Sequence, residues 1–256
     1  MTGNEEIVTG GESAPVGNGR SGDSDALRPT IAVLDYGIGN LRSAQKALQK
    51  VGADAHLTAD FGLIESADGV VLPGVGAFGA CMDALRSSGL DEQARRAVAS
   101  GRPFLGICVG MQMLFDGSEE SPGVPGLGLL PGMIRWLPDT VKRPQMQWNR
   151  LSVVVEADQT SPYVSRLLGG LEGSWMYFVH SLAAELGDDT VATVDYGGSV
   201  VAAVGRDNVF ATQFHPEKSA RPGLALLATF VDACRLAAGE GDDVETAVGA
   251  EASARA

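Results

Sequence analysis

The chain has 256 residues, of which 45% are hydrophobic and 20% charged, with a formal net charge of −13. That length suits one large α/β domain or two small ones. The acidic balance argues against a nucleic-acid surface, which needs clustered Lys and Arg, and no run approaches the roughly 20 apolar residues that span a membrane.

Residues 1–28, rich in Gly, Ser, Asp and Asn, read as a disordered extension, and residues 239–256 as a second solvated tail. The N-terminus itself is acidic and polar, unlike a secretory signal. One core domain over 29–238 remains. It opens with a short β-branched run, 30–35, suited to a buried parallel strand. Asn40 is placed to cap a helix over 41–51, whose Leu41, Ala44, Ala47 and Leu48 recur at helical spacing. Strands are expected at 54–57 and 69–72, helices at 79–87 and 91–100, a buried strand at 103–107 and a helix at 109–115. This alternation implies a largely parallel sheet covered on both faces. Five short strands follow, at 151–155, 174–179, 190–196, 200–206 and 209–214, and read as antiparallel additions to one side. A final helix is expected over 223–237.

Three cysteines, Cys81, Cys108 and Cys234, make neither a disulfide framework nor a metal-ligand set, so a reducing, cytoplasmic compartment is expected. Cys108 stands apart. In Gly106-Ile107-Cys108-Val109-Gly110 it falls where a buried strand turns into a helix. Flanking glycines allow a sharp turn that lifts the side chain to the carboxyl edge of the sheet, and the helix start at Val109 offers N–H groups. Such a setting favours a thiolate, although an inert buried cysteine fits the same pattern. A nucleophilic cysteine needs a base. His215-Pro216-Glu217 follows a strand, with a carboxylate placed to fix the imidazole tautomer. His56 lies inside a strand pattern and reads as structural or exposed. The glycine-rich run 72–79 also follows a strand, and Gly74, Val75 and Gly76 present backbone N–H groups suited to a developing oxyanion. An ordinary glycine turn is the alternative there.

Together, Gly106–Gln112 (GICVGMQ) and His215-Pro216-Glu217 resemble the class I (triad) glutamine amidotransferases. Four more segments support the resemblance: 35–41 (DYGIGNL), 73–79, 177–181 (YFVHS) and 213–219 (QFHPEKS). The finer resemblance is to the members serving histidine biosynthesis. The family implies a three-layer, flavodoxin-like fold and a Cys108, His215, Glu217 triad that releases ammonia from glutamine. It implies no cofactor and no metal. The ammonia would pass through a (β/α)8-barrel cyclase subunit, in a heterodimer, to make imidazole glycerol phosphate and aminoimidazole carboxamide ribotide. By position, Gln112, Glu120, His180 and Ser181 would line the glutamine pocket. Tyr177 and Lys218 would sit at its mouth facing the cyclase, with Trp148 and Asn149 on the same interface. Related subunits of pyridoxal phosphate or anthranilate synthases share the triad. The sequence departs from the family at Gln147, usually Gly, and at Leu182, usually Tyr.

Overall fold

The computed structural model describes residues 28–39 and 41–253, with the side chains of 157 and 240–253 excepted. The expected extension over 1–28 lies, but for Arg28, outside the described residues, as does Asn40; Leu41 holds the helix cap position. The first half alternates as expected: Thr30–Leu34 (β1), Arg42–Lys50 (α1), Asp54–Thr58 (β2), Phe61–Ser66 (α2), Gly69–Gly74 (β3), Phe78–Ser87 (α3), Leu90–Ala99 (α4), Phe104–Cys108 (β4) and Val109–Gln112 (α5). Then come Gly117–Ser118 (β5), Met133–Trp136 (β6), Gln145–Arg150 (β7), Ser152–Val153 (β8), Pro162–Leu168 (α6), Trp175–His180 (β9), Leu182–Ala184 (β10), Thr190–Asp195 (β11), Ser199–Arg206 (β12), Val209–Thr212 (β13) and Ala220–Ser253 (α7).

One sheet orders eight strands as β2-β1-β3-β4-β13-β12-β11-β8. The first five are parallel and the last three antiparallel additions. β3 and β4 are buried along their whole length, as expected of strands covered on both faces. Gly197 and Gly198, both at positive φ, reverse the chain between β11 and β12.

Four expectations change. The 209–214 strand is no antiparallel addition: β13 runs parallel to β4. The 174–179 strand leaves the main sheet. As β9 it pairs with β7 in a separate ribbon, held toward the sheet edge by His215 N–H donating to the Tyr177 carbonyl and by Ser219 Oγ accepting from Tyr177 N–H. The 109–115 helix shrinks to α5, because Leu114 and Phe115 donate to carbonyls only three residues back and the turn tightens. The last helix runs to Ser253, past the expected end at 237. Two short helices were not expected. α2 is capped by Asp60, which accepts from Leu63 N–H, and α6 by Ser161, with Pro162 at its first position.

The Ala220–Gly239 part of α7 is long and apolar enough to cross a membrane by composition. It is instead a core helix: Leu226, Leu227, Phe230, Val231 and Cys234 are buried. Cys234 presses on β3, and a Cβ at Gly69 would come within 2.3 Å of its Sγ. Gly69→Ala should therefore lower the urea midpoint by the equivalent of about 1–3 kcal/mol through overpacking. Cys234→Ala clears the sulfur, so the double variant should lose less than the sum of the two single losses. Additive losses would show that the helix is not what Gly69 accommodates.

Candidate active site

Three strand ends converge on Cys108. The 106–110 turn lies so close to its neighbours that only glycine fits at two of its positions. A Cβ on Gly110 would come within 1.8 Å of the Leu72 carbonyl oxygen, and one on Gly106 within 2.9 Å of Ala211 Cβ. Gly74 meets the same turn from β3, where a Cβ would lie 2.6 Å from Gly110 N. Gly74 thus packs against the elbow rather than lining the cavity. Cys108 itself takes φ 57° and ψ −113°, a region that L-residues rarely occupy. Strain of this kind costs about 1–3 kcal/mol and persists only where the surroundings enforce it.

His215 follows β13, the strand beside β4, and so reaches the elbow. Its Nδ1 lies 2.8 Å from Glu217 Oε1, and the two side chains are 3% and 6% exposed. Pro216 begins a single 3-10 turn that brings Glu217 back under the ring. Burial opposes charge on His215, but hydrogen bonds with Cys108 and Glu217 outweigh it and raise the imidazole to about 9. The surroundings of the ring therefore favour its protonated form, with the Glu217 carboxylate at Nδ1.

A cavity of about 370 Å³ opens above this group. Val75, Gly76, Cys108, Val109, His215 and Lys218 line it. So do Gln112, Glu120, His180 and Ser181, the four residues expected there from the family pattern. The carbonyls beside the expected oxyanion donors are already engaged: Tyr36 Oη donates to the Pro73 carbonyl at 2.7 Å and Cys81 Sγ to the Val75 carbonyl at 3.4 Å. Glu120 Oε2 accepts from Phe78 N–H at 2.7 Å, at the first turn of α3.

His180 has the opposite electrostatics to His215. Burial lowers it to about 4, so the ring is neutral. Nδ1 lies 2.8 Å from the Leu182 carbonyl, a pure acceptor, so Nδ1 carries the proton and Nε2 accepts. Nε2 lies 2.9 Å from the Gln145 amide oxygen, an acceptor facing an acceptor. A half-turn of the amide, bringing its NH2 to the ring, restores that bond.

The expected interface residues divide. Trp148 and Tyr177 pair across the β7–β9 ribbon, edge to face with centroids 6.0 Å apart. Asn149 turns to the other face and donates to the Asp195 carbonyl at 2.9 Å, fastening the ribbon to β11. His56 is half-exposed in β2 and pairs with Asp54. Cys81 and Cys234 are buried in helices. Sequence reasoning missed Gln213, although it was quoted within a motif. It is fully buried, with Nε2 3.8 Å from Cys108 Sγ. The signal was its place two residues before His215, on the same strand end.

A profile of the class-I glutamine amidotransferases matches residues 32–234. The chain is 49% identical over 206 residues to the imidazole glycerol phosphate synthase subunit HisH of Methanothermobacter thermautotrophicus, covering 80% of this chain and 99% of that protein. The like-named subunit of Acinetobacter baylyi is 47% identical over 206 residues, 79% of this chain and 97% of its own. That of Synechococcus elongatus is 48% identical over 212 residues, 80% and 94%. Among solved structures, a glutamine amidotransferase superposes with TM-score 0.62 at 22% identity, covering 80% of this chain and 98% of its own. PurLQS from Thermotoga maritima does so with TM-score 0.60 at 19% identity, covering 82% and 98%. At such identities the superpositions speak for the fold alone.

The raised imidazole of His215 has a consequence for stability. Its folded value lies above the unfolded one, so its contribution is full below about pH 6.5 and is lost as pH rises through about 9. The thermal midpoint of wild type should exceed that of His215→Asn by the widest margin at about pH 6, and the margin should narrow by about pH 10. A margin that does not change with pH would refute the buried imidazolium.

Proposed function

We infer from its relatives and its site that this chain, which belongs to the class-I glutamine amidotransferase family, is the glutaminase subunit of imidazole glycerol phosphate synthase in histidine biosynthesis. The single observation that carries the chemistry is the line Cys108, His215, Glu217, with a buried imidazolium between sulfur and carboxylate beside an open cavity.

Glutamine enters with its side-chain carboxamide toward Cys108. The sulfur attacks the carboxamide carbon, and negative charge builds on its oxygen. The Val75 and Val109 N–H groups are the donors for that oxygen. His215 gives its proton to the departing nitrogen, and ammonia leaves with a glutamyl thioester on Cys108. The neutral imidazole then takes a proton from water, which attacks the thioester and releases glutamate and the thiolate. Glu217 keeps the ring in one tautomer and stabilises its charged form throughout. Glu120 suits the substrate ammonium, since its carboxylate lines the cavity and is held in place by Phe78 N–H.

The ammonia is consumed by a partner, a (β/α)8-barrel cyclase bound as a heterodimer. The outer face of the β7–β9 ribbon supports this reading. Met146, Trp148 and Trp175 are 62%, 43% and 56% exposed on one side of it, a density of large apolar side chains rare on a free surface. Tyr177 shares that face, and the exposed Lys218 lines the cavity. Three free cysteines fit a reducing cytoplasm. The pyridoxal phosphate and anthranilate alternatives lose ground because the similar relatives carry the imidazole glycerol phosphate synthase name.

Cys108→Ala, assembled with the cyclase, should lose glutamine-dependent product formation by several orders of magnitude. The same complex should still make product when ammonium salt is supplied at alkaline pH, where neutral ammonia is present. Failure of that rescue in a complex that forms normally would sink the two-site assignment. A near-normal glutaminase rate would remove Cys108 as nucleophile.

A further inference from the structure

A relay of side-chain amides joins a backbone carbonyl to the nucleophile. Gln112 Nε2 donates to the Leu182 carbonyl at 3.2 Å and to Gln213 Oε1 at 3.0 Å. Gln213 Nε2 then lies 3.8 Å from Cys108 Sγ, long for oxygen but within reach of the larger sulfur. All three side chains are buried, Gln112 and Cys108 at 4% exposure and Gln213 at 0%.

The two ends of an amide are easily exchanged, and here they cannot be. The Leu182 carbonyl only accepts, so Gln112 must turn its NH2 to it. The same NH2 group meets Gln213, which must answer with its oxygen. The end of Gln213 left for the sulfur is therefore the donor. Direction is imposed at a backbone group that has no other hand to offer, and it passes through two side chains to Cys108.

We propose that Gln213 is a further catalytic residue, the N–H donor that holds the Cys108 sulfur as a thiolate, and that Gln112 is the positioning residue that keeps its amide the right way round. A donor to sulfur favours the charged form over the thiol. The need for it follows from α5. A helix of four residues has little macrodipole to lend, so a fixed side-chain donor takes over part of what a longer helix would supply. The same donor stabilises the sulfur again when it leaves the thioester. The inference rests on the reading of Cys108 as the nucleophile.

Several ionisable groups face this sulfur. His215 interacts with it electrostatically with Glu217 behind, Tyr36 and Cys81 are further electrostatic neighbours, and Glu120 and Lys218 line the same cavity. Gln213→Met alters none of these charges, so a shift in the titration of the sulfur reads the lost donor.

The experiment is the rate of carboxamidomethylation of Cys108 by iodoacetamide against pH, on the full chain without glutamine, followed by mass spectrometry of the Cys108 peptide. Gln213→Met should move the midpoint upward by about one unit, a roughly tenfold lower rate on the acid side. Gln112→Leu should move it in the same direction though it does not touch the sulfur, and the double variant should move it no further than Gln213→Met. In the complex, at a pH below that midpoint, Gln213→Met should lower kcat about tenfold with KM for glutamine unchanged, because the thiolate fraction falls alike in the free and the substrate-bound enzyme. Profiles that superimpose on wild type overturn the proposal. Should Gln213→Met fail to fold, Gln112→Leu carries the test alone, and an unmoved profile is again fatal. Because the assay uses no glutamine, a wild-type complex that alkylates at Cys108 yet hydrolyses no glutamine would refute the function and leave the relay standing.

Discussion

The closeness of backbone to backbone around the 106–110 turn is the constraint on which the site depends. Gly110 has no room for a Cβ against Leu72, Gly106 none against Ala211, and Gly74 none against Gly110. These contacts tie the ends of β3, β4 and β13 together at one point. Each strand end then delivers one part of the chemistry. β4 delivers Cys108, β3 the Val75-Gly76 backbone, and β13 the His215 turn. A parallel sheet presents all its carboxyl ends on one edge, so the assembly is a property of topology before it is one of side chains. The strained Cys108 backbone is the cost, and packing of fully buried strands on both sides bears it.

Electrostatics in the cavity are set by what each imidazole meets. His215 and His180 line one cavity and are both buried, and burial alone would make both neutral. His215 escapes because its two hydrogen-bonding groups, Cys108 and Glu217, both favour the proton. His180 meets a backbone carbonyl and an amide, neither of which carries charge, so burial wins. In the proposed mechanism the proton donor for the leaving nitrogen is thus on one side of the cavity, and the uncharged His180 is on the other.

Legibility in the sequence followed locality. The proposed triad drew notice because each member sits near a strand end beside glycine or proline, where backbone geometry and chemistry coincide in a few residues. The buried strands β1, β3 and β4 were readable as continuous apolar runs. β7 was not, because its alternation is inverted: in Gln145–Arg150 the apolar Met146 and Trp148 face outward, while the polar Gln145 is buried and Asn149 is turned against β11. β9 was found as a strand but placed in the wrong sheet, since its partner strand lies well upstream and the pairing leaves no trace in either segment. Here Trp175↔Arg150 and His180↔Gln145 are 25 and 35 apart, and no local signal spans such a gap. α2 and α6 did carry capping signals at Asp60 and Ser161, too short a pattern to outweigh their length. Gln213 escaped because its role depends on Gln112, 101 residues away, and on a backbone carbonyl, which has no letter in the sequence.

That last point bears on the departure at position 182. The carbonyl of Leu182 accepts from both His180 Nδ1 and Gln112 Nε2, using both its lone pairs. It fixes the tautomer of one pocket residue and the direction of the amide relay behind another. The side chain does neither. It is 4% exposed, packed with the apolar core at the cavity wall. A position can therefore be central to the geometry of a site while its residue type is free, provided the backbone group is held by its strand. β10 pairs with β6 to hold it, Leu182 opposite Trp136. The identity of the residue is then a matter of packing, and the chemistry belongs to the fold.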